Sequence, residues 1–250
     1  MKIIKSIFSF FGIDLKRFLS LIYIFKFLKD YVNFSLKNKK FHNFHPILTD
    51  FYDNAGTAKG HYFHQDLLVS QFIFKDKPLD HLDVASRIDG FVAHVAAFRK
   101  IEVSDIRNLN NKIDNIQFTQ IDFMSSFSNI KKYQSISCLH AIEHFGLGRY
   151  NDQIDVNGHL KGFLNITNLL EESGKLYISF PISNYPRTEF NAHRVFHPND
   201  IFNWNGCEKL KLLRFDYVND EGDLIKNTNT NEVNNMNYAC GIYTFIKIEK

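Results

Sequence analysis

The chain has 250 residues, of which 44% are hydrophobic and 23% are charged, and its formal net charge is +3. This composition is ordinary for a soluble globular protein, and the length suffices for one main domain with an appendage. The chain has no Lys/Arg block interleaved with aromatic residues, which argues against nucleic acid as a partner. The cysteines Cys138, Cys207 and Cys240 have neither metal-ligand nor disulfide-framework spacing, so we expect a reducing, cytoplasmic compartment.

The first 35 residues are rich in Phe, Ile and Leu, but charged residues interrupt them throughout. They contain no run near the roughly 20 apolar residues of a membrane span, and the long apolar region of a secretory signal is missing. We therefore predict an amphipathic helical appendage over residues 1–50 and one α/β domain over residues 51–250. Two partners stay open for residues 1–35: a protein surface, or an anionic inner membrane surface to which the protein would be peripheral.

Helical and strand-like segments alternate from residue 65 onward. Predicted helices cover 65–74, 90–99 and 159–171, and predicted strands cover 81–85, 101–105, 116–121, 135–140 and 175–181. Two further strand-like runs, 210–218 and 238–249, are predicted to pair as an antiparallel edge, with the Asn-rich tract 226–237 as a mobile loop between them. The alternation predicts a doubly wound, mostly parallel Rossmann-like sheet whose ligands bind beyond the carboxyl ends of the strands.

Acidic residues occur where the first three predicted strands end. The first strand carries Asp83 and leads through a polar turn into a helix, whose N–H groups suit a carboxylate or phosphate. The second strand ends in Asp105, a carboxylate able to accept hydrogen bonds from both hydroxyls of a ribose. The third ends in Asp122, followed by Phe123, which suit the amino group and ring face of an adenine. Asp also forms turns at strand ends, so the order of the three acids carries more weight than any one of them.

These strings resemble a known superfamily. DVASRIDG, VSDIR, QIDF and CLHAIEHFGLG are similar to the nucleotide-binding half of class I S-adenosylmethionine-dependent methyltransferases, over about residues 62–182. A fuller set that includes GHYFHQDLLVSQFIF, HAIEHFGLGRY and NAHRVF resembles a bacterial methyltransferase-like family of unknown function linked to surface-polysaccharide loci, over about residues 50–225. The resemblance implies S-adenosylmethionine as cofactor, held by Asp83, Ser86, Arg87 and Gly90 at the methionine end, Asp105 at the ribose, Ile106, Asp122 and Phe123 at the adenine, and His140 nearby.

One departure from the superfamily pattern lies in the first turn. Ala85 stands where the superfamily usually has Gly, and the bulky Arg87 and Ile88 stand where small residues are common. Glycine at such a position lets the backbone approach a ligand closely. The departure favours an alternative function, a non-catalytic methyltransferase-like scaffold in a glycan-assembly complex.

The resemblance also implies where catalysis and acceptor binding occur. Methyl transfer to a sugar hydroxyl needs a base that takes the proton of the acceptor, and histidine suits that role near neutral pH. We predict O-methylation of a sugar or sugar nucleotide in surface glycan synthesis. The predicted catalytic residues are His144 and His193, with Glu143 as the orienting carboxylate, and the predicted acceptor-binding residues are Arg187, Arg194 and His159. His197 is a further candidate base, and His64 or Gln65 is a candidate contact of the methionine carboxylate.

Two other enzyme classes are less consistent with the sequence. Residues 140–144, HAIEH, fit the H-x-x-E-H string of inverted zinc proteases, but that motif requires a helix, and here the string follows an apolar strand directly. Nicotinamide chemistry lacks its GxGxxG fingerprint and a Tyr followed four residues later by Lys. We therefore assign no metal ligand from the sequence.

Overall fold

A computed structural model describes residues 15–51, 53–125 and 131–248. The chain divides into two compact units, residues 1–57 and residues 58–250. Residues 1–14 of the predicted N-terminal segment lie outside the described residues.

Within residues 15–51, the first unit contains two helices, α1 (Leu15–Ser20) and α2 (Ile24–Asn38), joined by a 3-10 turn. The Phe27 ring packs edge-on against Phe44 at 5.0 Å between centroids, and the Tyr31 hydroxyl donates to the His42 carbonyl at 2.6 Å. Large apolar side chains on the helices, such as Phe18 and Phe25, are exposed. None of the helices in the described part of the chain is long and apolar enough to cross a membrane. The choice between a protein and a membrane surface stays a prediction.

The second unit is built on one eight-stranded sheet with helices on both faces. The strands of the sheet lie in the order β3-β2-β1-β4-β5-β10-β8-β9. The first five are parallel, and β10, β8 and β9 add an antiparallel edge. This confirms the predicted fold class. The eight strands of this sheet are β1 (Leu82–Val84), β2 (Ile101–Asp105), β3 (Ile116–Gln120), β4 (Tyr133–Leu139), β5 (Leu170–Ile182), β8 (Leu210–Val218), β9 (Leu224–Thr228) and β10 (Ala239–Lys247). Two further strands, β6 (Arg187–Glu189) and β7 (His193–Val195), lie outside it.

Three α-helices of this unit match the predicted helices. They are α3 (His61–Asp76), α4 (Ala93–Ala96), which follows a π-helical turn over Ile88–Val92, and α5 (Gly158–Leu169). The sequence analysis did not predict the β6–β7 hairpin, which forms a separate two-stranded sheet.

The Asn-rich tract 226–237 is not the mobile loop that its polarity predicted. Its first residues complete β9, and Thr230–Glu232 form a 3-10 turn. The Asn229 side chain accepts a hydrogen bond from the Asn231 backbone at 2.9 Å. The prediction was wrong because Asn side chains satisfy backbone groups locally, which stabilises turns without apolar burial.

Two hydrophobic clusters cover the two faces of the sheet. On β5, Leu176, Ile178 and Phe180 belong to one cluster, whereas Tyr177 between them belongs to the other. This alternation follows from the period of two in a strand. Each fully buried side chain of this size stabilises the fold by about 1.5–3 kcal/mol.

The strand order places a crevice at one edge of the sheet. The chain runs outward from β1 through β2 to β3 and then returns to β4 on the other side of β1. At such a reversal, the loops after the neighbouring strands diverge and leave room for a ligand at their carboxyl ends. This is where the sequence placed the acidic residues.

We predict that His81 makes the fold sensitive to acid. The ring is buried, with Nδ1 2.8 Å from Ser135 Oγ and Nε2 3.0 Å from Ser137 Oγ. Burial, with a smaller effect of Arg99, lowers the pKa of His81 to about 3 from 6.5. Below pH 6.5 only the unfolded state takes up this proton, so the free energy of unfolding should fall by about 2 kcal/mol between pH 7.5 and 5 on account of this residue.

Urea unfolding of the wild type and the His81→Asn variant at both pH values measures this effect. The variant should be less stable at pH 7.5 and should lose less stability on acidification. His94→Asn at an exposed site is the matched control. Equal losses in wild type and His81→Asn would contradict the assignment.

Candidate active site

A cavity of about 330 Å³ lies at the carboxyl ends of β1 to β4. The segments that follow these strands form most of its wall, and Tyr62, His193 and Tyr238 complete it. Nine of the residues predicted from the sequence line this one cavity: Arg87, Asp105, Ile106, Asp122, Phe123, His140, Glu143, His144 and His193.

The turn after β1 keeps a backbone conformation that glycine favours, although no glycine is present. Ala85 lines the cavity with φ at 58°, in the left-handed region. Its backbone N–H donates to the Ser104 carbonyl at 2.8 Å. The departure from the superfamily pattern therefore adds a methyl group at this point but does not straighten the turn.

Asp83 and Ser86 hold this turn from below and are not part of the cavity wall. The Asp83 carboxylate is fully buried and accepts hydrogen bonds from the Ser86 backbone at 3.0 Å, the Ser86 hydroxyl at 2.6 Å and the Ser137 hydroxyl at 2.6 Å. Burial raises the pKa of Asp83 to about 7, although these hydrogen bonds oppose the shift. Both residues thus hold the turn in place, and the direct cofactor contact predicted for them stays a prediction.

Gly90 also shapes the site without lining it. A Cβ at this position would lie 2.5 Å from Oδ2 of Asp66 on α3. Gly90 therefore permits close packing of α3 against the turn, and the cofactor contact predicted for it is not placed in the wall.

Arg87 reaches the cavity wall as a half-exposed cation. Its guanidinium pairs with Asp89 through Nε at 3.1 Å and Nη2 at 3.0 Å, and it lies 4.8 Å from the centre of the Tyr62 ring. Asp89 does not use Nη1, so the Nη1–Nη2 edge of the guanidinium can bind a carboxylate with two parallel hydrogen bonds.

Asp105 lies at the end of β2, as predicted, and is paired with an arginine that the sequence analysis missed. Its Oδ1 accepts from the backbone N–H of Arg107 at 2.8 Å and from Nε at 3.0 Å. Its Oδ2 accepts from Nη2 at 2.6 Å. Since each carboxylate oxygen has two acceptor positions, one position remains on Oδ2 for a further donor.

Asp122 and Phe123 follow β3 and lie on the same wall as Ile106. Asp122 accepts from the Met124 backbone at 2.8 Å and from the Ser125 hydroxyl at 3.0 Å, which fixes a turn. Ile106, Phe123 and Met124 give this part of the cavity an apolar surface.

A buried ion pair lies after β4. His140 Nδ1 is 2.8 Å from Oε1 of Glu143, and the Glu143 side chain is 1% exposed. Burial alone lowers the pKa of His140, but Cys240 and Glu143 raise it well above its ordinary value. Burial alone raises the pKa of Glu143, but His140 lowers it below its usual range. Oε2 of Glu143 has no hydrogen-bond partner among the described residues.

The His144 ring is held by the Ala192 carbonyl and faces Glu143. Its Nδ1 lies 2.7 Å from the Ala192 carbonyl, to which it donates, so the neutral ring carries its lone pair on Nε2. Nε2 lies 3.8 Å from Oε1 of Glu143. Burial lowers the pKa of His144, with partial opposition from Glu143, so the ring is neutral at pH 7.

His193, the second predicted base, lies across the cavity from the β4 segment on β7. Its ring is 6.4 Å from His144 and 5.3 Å from Tyr238 between centroids. Nε2 lies 3.4 Å from Oε2 of Glu189. Burial lowers the pKa of His193, and the Glu189 charge raises it in part.

The residues predicted to bind the acceptor lie outside the cavity wall. Arg194 is buried, and its Nη1 donates to the Phe145 carbonyl at 2.6 Å while Nη2 faces the Asp155 carbonyl at 3.3 Å. Arg187 pairs with Glu189 at 2.7 Å on the β6–β7 hairpin. Both guanidinium groups are engaged by the protein itself, so neither is placed to hold an anion in the cavity.

His159 is half-buried and packs against aromatic side chains outside the cavity wall, so the structure shows a packing role and the predicted acceptor contact stays a prediction. Its ring packs against Phe196 at 5.3 Å and Trp204 at 5.4 Å between centroids. Burial, then the Arg194 charge, lowers the pKa of His159 to about 4. The spacing of a histidine on a helix does not distinguish these two roles.

The remaining candidates from the sequence also have local partners. Nδ1 of His197 accepts from the Asn199 backbone at 3.2 Å. Oε1 of Gln65 accepts from the Ser179 hydroxyl at 2.6 Å. Neither residue lines the cavity, and neither does His64.

Arg149, Tyr150 and Tyr238 also line the cavity, although no role was predicted for them from the sequence. Arg149 and Tyr150 end the string HAIEHFGLGRY, which supported the family resemblance without implying a role for either residue. Tyr238 precedes β10, and no local pattern connects it with residues after β4.

The zinc-protease motif is not formed. Ile142–His144 form a single 3-10 turn, whereas the motif needs two histidines on one face of an α-helix. His140 and His144 bind different partners, Glu143 and the Ala192 carbonyl.

Comparison of the sequence with known proteins gives one family match. Residues 82–202 match the family described as "Caenorhabditis protein of unknown function, DUF268". No curated protein matches the sequence.

Three solved structures resemble the chain at low sequence identity. Burkholderia thailandensis 1,6-didemethyltoxoflavin-N1-methyltransferase, with bound 1,6-didemethyltoxoflavin and S-adenosylhomocysteine, has a TM-score of 0.53 at 10% identity, over 74% of this chain and 79% of that chain. N-methyltransferase NodS from Bradyrhizobium japonicum WM9, in complex with S-adenosylhomocysteine, has a TM-score of 0.50 at 10% identity, over 76% and 89%. The [4+2]-cyclase SpnF has a TM-score of 0.51 at 11% identity, over 74% and 82%. The chain therefore has the Rossmann-like fold of class I methyltransferases.

We predict that Ala85→Gly is tolerated better than a matched change in the same wall. The left-handed conformation costs a non-glycine residue about 1–2 kcal/mol, and glycine costs about 0.5–1 kcal/mol in chain entropy. The free energy of unfolding of Ala85→Gly should therefore be unchanged or higher by up to about 1 kcal/mol.

Ala141→Gly is the control, because Ala141 is buried with φ at −130°. The free energy of unfolding of Ala141→Gly should fall by about 1 kcal/mol or more, because this change relieves no backbone strain and removes a buried methyl group. Urea denaturation of both variants measures the difference. Equal losses would contradict a strained Ala85.

Proposed function

We propose that the protein is an S-adenosylmethionine-dependent methyltransferase that methylates a hydroxyl of a sugar or sugar nucleotide. The observation that carries the proposal is that one cavity at the reversal of the sheet joins Asp105 and Asp122 with Glu143 and His144. The first pair suits a nucleoside and the second pair suits proton transfer. The shared fold with known methyltransferases supports the proposal.

The residues present fit the proposed cofactor. The open acceptor position on Oδ2 of Asp105 suits a ribose hydroxyl. Ile106 and Phe123 offer apolar surface for an adenine, and Arg87 offers a bidentate donor for the methionine carboxylate. The cavity volume of about 330 Å³ lies within the usual range for small-molecule sites.

The cofactor supplies a methyl group on a sulfonium, and the protein aligns the acceptor and removes its proton. Nε2 of His144 is the proposed base, because Nδ1 is committed to the Ala192 carbonyl and burial keeps the ring neutral. The Glu143 carboxylate, 3.8 Å away, stabilises the imidazolium that forms. His193 remains the alternative base.

A hydroxyl group as the recipient of the methyl group agrees with one further feature of the site. The buried Oε2 of Glu143 has no partner among the described residues, and a buried acceptor of this kind favours a ligand that donates a hydrogen bond. A sugar hydroxyl is such a donor. The specific link to surface glycans rests on the sequence resemblance.

We expect purified protein to bind S-adenosylhomocysteine and Asp105→Ala to weaken that binding. Loss of charge-assisted hydrogen bonds to the ribose should cost about 1–3 kcal/mol, roughly 5- to 150-fold in Kd. Asp114→Ala, at an exposed acid outside the cavity, is the control and should bind as the wild type does. Isothermal titration calorimetry measures all three proteins.

Binding that Asp105→Ala leaves unchanged would remove Asp105 from the ribose site. A wild type that binds no S-adenosylhomocysteine would instead favour the scaffold alternative, for which the Asp105–Arg107 pair would be a closed structural contact.

We expect His144→Asn to lower kcat for methyl transfer about 10²- to 10⁴-fold while leaving S-adenosylhomocysteine affinity unchanged. Labelled S-adenosylmethionine with a set of sugar nucleotides gives the rate. The wild-type rate should fall on the acid side as His144 is protonated, at a pH below 6.5, and this limb should be missing in the variant. His197→Asn, outside the cavity, is the control. An unaffected rate in His144→Asn would transfer the role to His193.

A further inference from the structure

Three side chains that no motif connects meet beside the cavity. His61 begins α3, His140 follows β4 and Cys240 lies in β10. His61 Nδ1 is 3.2 Å from His140 Nε2, and all three potential ligand atoms lie within 4.8 Å of one another. Their separation along the chain explains why the sequence analysis found no metal-ligand spacing.

We propose that His61, His140 and Cys240 bind a thiophilic divalent metal ion, with zinc as the ion that the ligand set fits. Two nitrogens bound about 2.0–2.1 Å from a tetrahedral zinc lie about 3.4 Å apart, close to the separation of the two imidazole nitrogens. Imidazole with thiolate selects zinc or copper over magnesium and calcium.

The groups behind the two imidazoles support this assignment. Nδ1 of His140 is bonded to the buried Glu143 carboxylate at 2.8 Å, which directs Nε2 toward His61. The His61 ring stacks on the Tyr238 ring, with 5.3 Å between their centroids, which holds its orientation. A metal-binding histidine commonly has its second nitrogen held by a carboxylate or a backbone carbonyl, as His140 does.

The local charge also suits a dication. Cys240 is fully buried, and Glu143 is almost so. The thiolate of Cys240 and the carboxylate of Glu143 together balance two positive charges in a site from which water is largely excluded.

The three ligands come from three elements, so a bound ion would cross-link α3, the β4 tip and β10. His140 also lines the cavity, whereas His61 and Cys240 do not. The ion would therefore lie behind the wall and fix the His140–Glu143 pair from that side. This inference does not depend on the proposed methyl transfer.

Metal analysis of the full chain tests the site. Protein purified with added zinc and then passed through a desalting column should carry about one zinc per chain by mass spectrometry. His61→Ala and Cys240→Ser should each retain less than a tenth of that amount. The matched controls are His64→Ala, on the same helix, and Cys207→Ser, a second buried cysteine, and both should keep the full amount.

Cobalt substitution adds a readout of the ligand atoms. The wild type and Cys207→Ser should show near-ultraviolet thiolate-to-cobalt absorption, and Cys240→Ser should lose it while its circular dichroism stays native. His61→Ala, a change at a less buried position, should also lose this absorption because it removes another ligand of the ion. Wild-type protein without stoichiometric zinc, or zinc retained equally by His61→Ala and Cys240→Ser, would overturn the proposal. S-adenosylhomocysteine titration of the same samples separates this result from the proposed function.

Discussion

The candidate site depends on one buried carboxylate. Asp83 binds the Ser86 backbone and hydroxyl in the turn after β1, and it accepts from the Ser137 hydroxyl on β4. Ser86 in turn accepts from the Leu139 backbone N–H at 3.0 Å. These bonds fix the turn that carries Arg87 relative to the β4 end that leads to His140. They add side-chain hydrogen bonds to the backbone pairing of β1 with β4 and so fix the two halves of the cavity wall relative to each other.

Much of the fold follows from the sequence, because parallel strands and their crossover helices leave a strong periodic pattern. The acids at the strand ends were also predictable, since carboxyl ends of parallel strands meet at one edge. Long-range pairing was not predictable. Arg194 and Arg107 have the same side chain, yet Arg194 binds backbone carbonyls in the interior while Arg107 pairs with Asp105 on the cavity wall. Only the three-dimensional path of the chain distinguishes such residues.

The fold by itself does not decide the reaction. A [4+2]-cyclase and N-methyltransferases resemble this chain to a similar degree. Methyl transfer is instead favoured by the chemistry of the cavity, in which Asp105 keeps a hydrogen-bond acceptor position open and the neutral His144 ring carries a lone pair on Nε2. Both features arise from contacts within the protein, so the site is organised before any ligand enters.

Two neighbouring strands of the sheet end in residues with a left-handed backbone, Ala85 at φ 58° and His140 at φ 50°. Each such conformation costs about 1–2 kcal/mol, against a typical total stability of about 5–15 kcal/mol. The backbone strain at the rim of the cavity is therefore offset by the stability that the hydrophobic clusters beneath it contribute. A weakened core would reduce the tolerance of this rim to further substitution, so the variation that the protein can accept at its site is set in part by packing far from it.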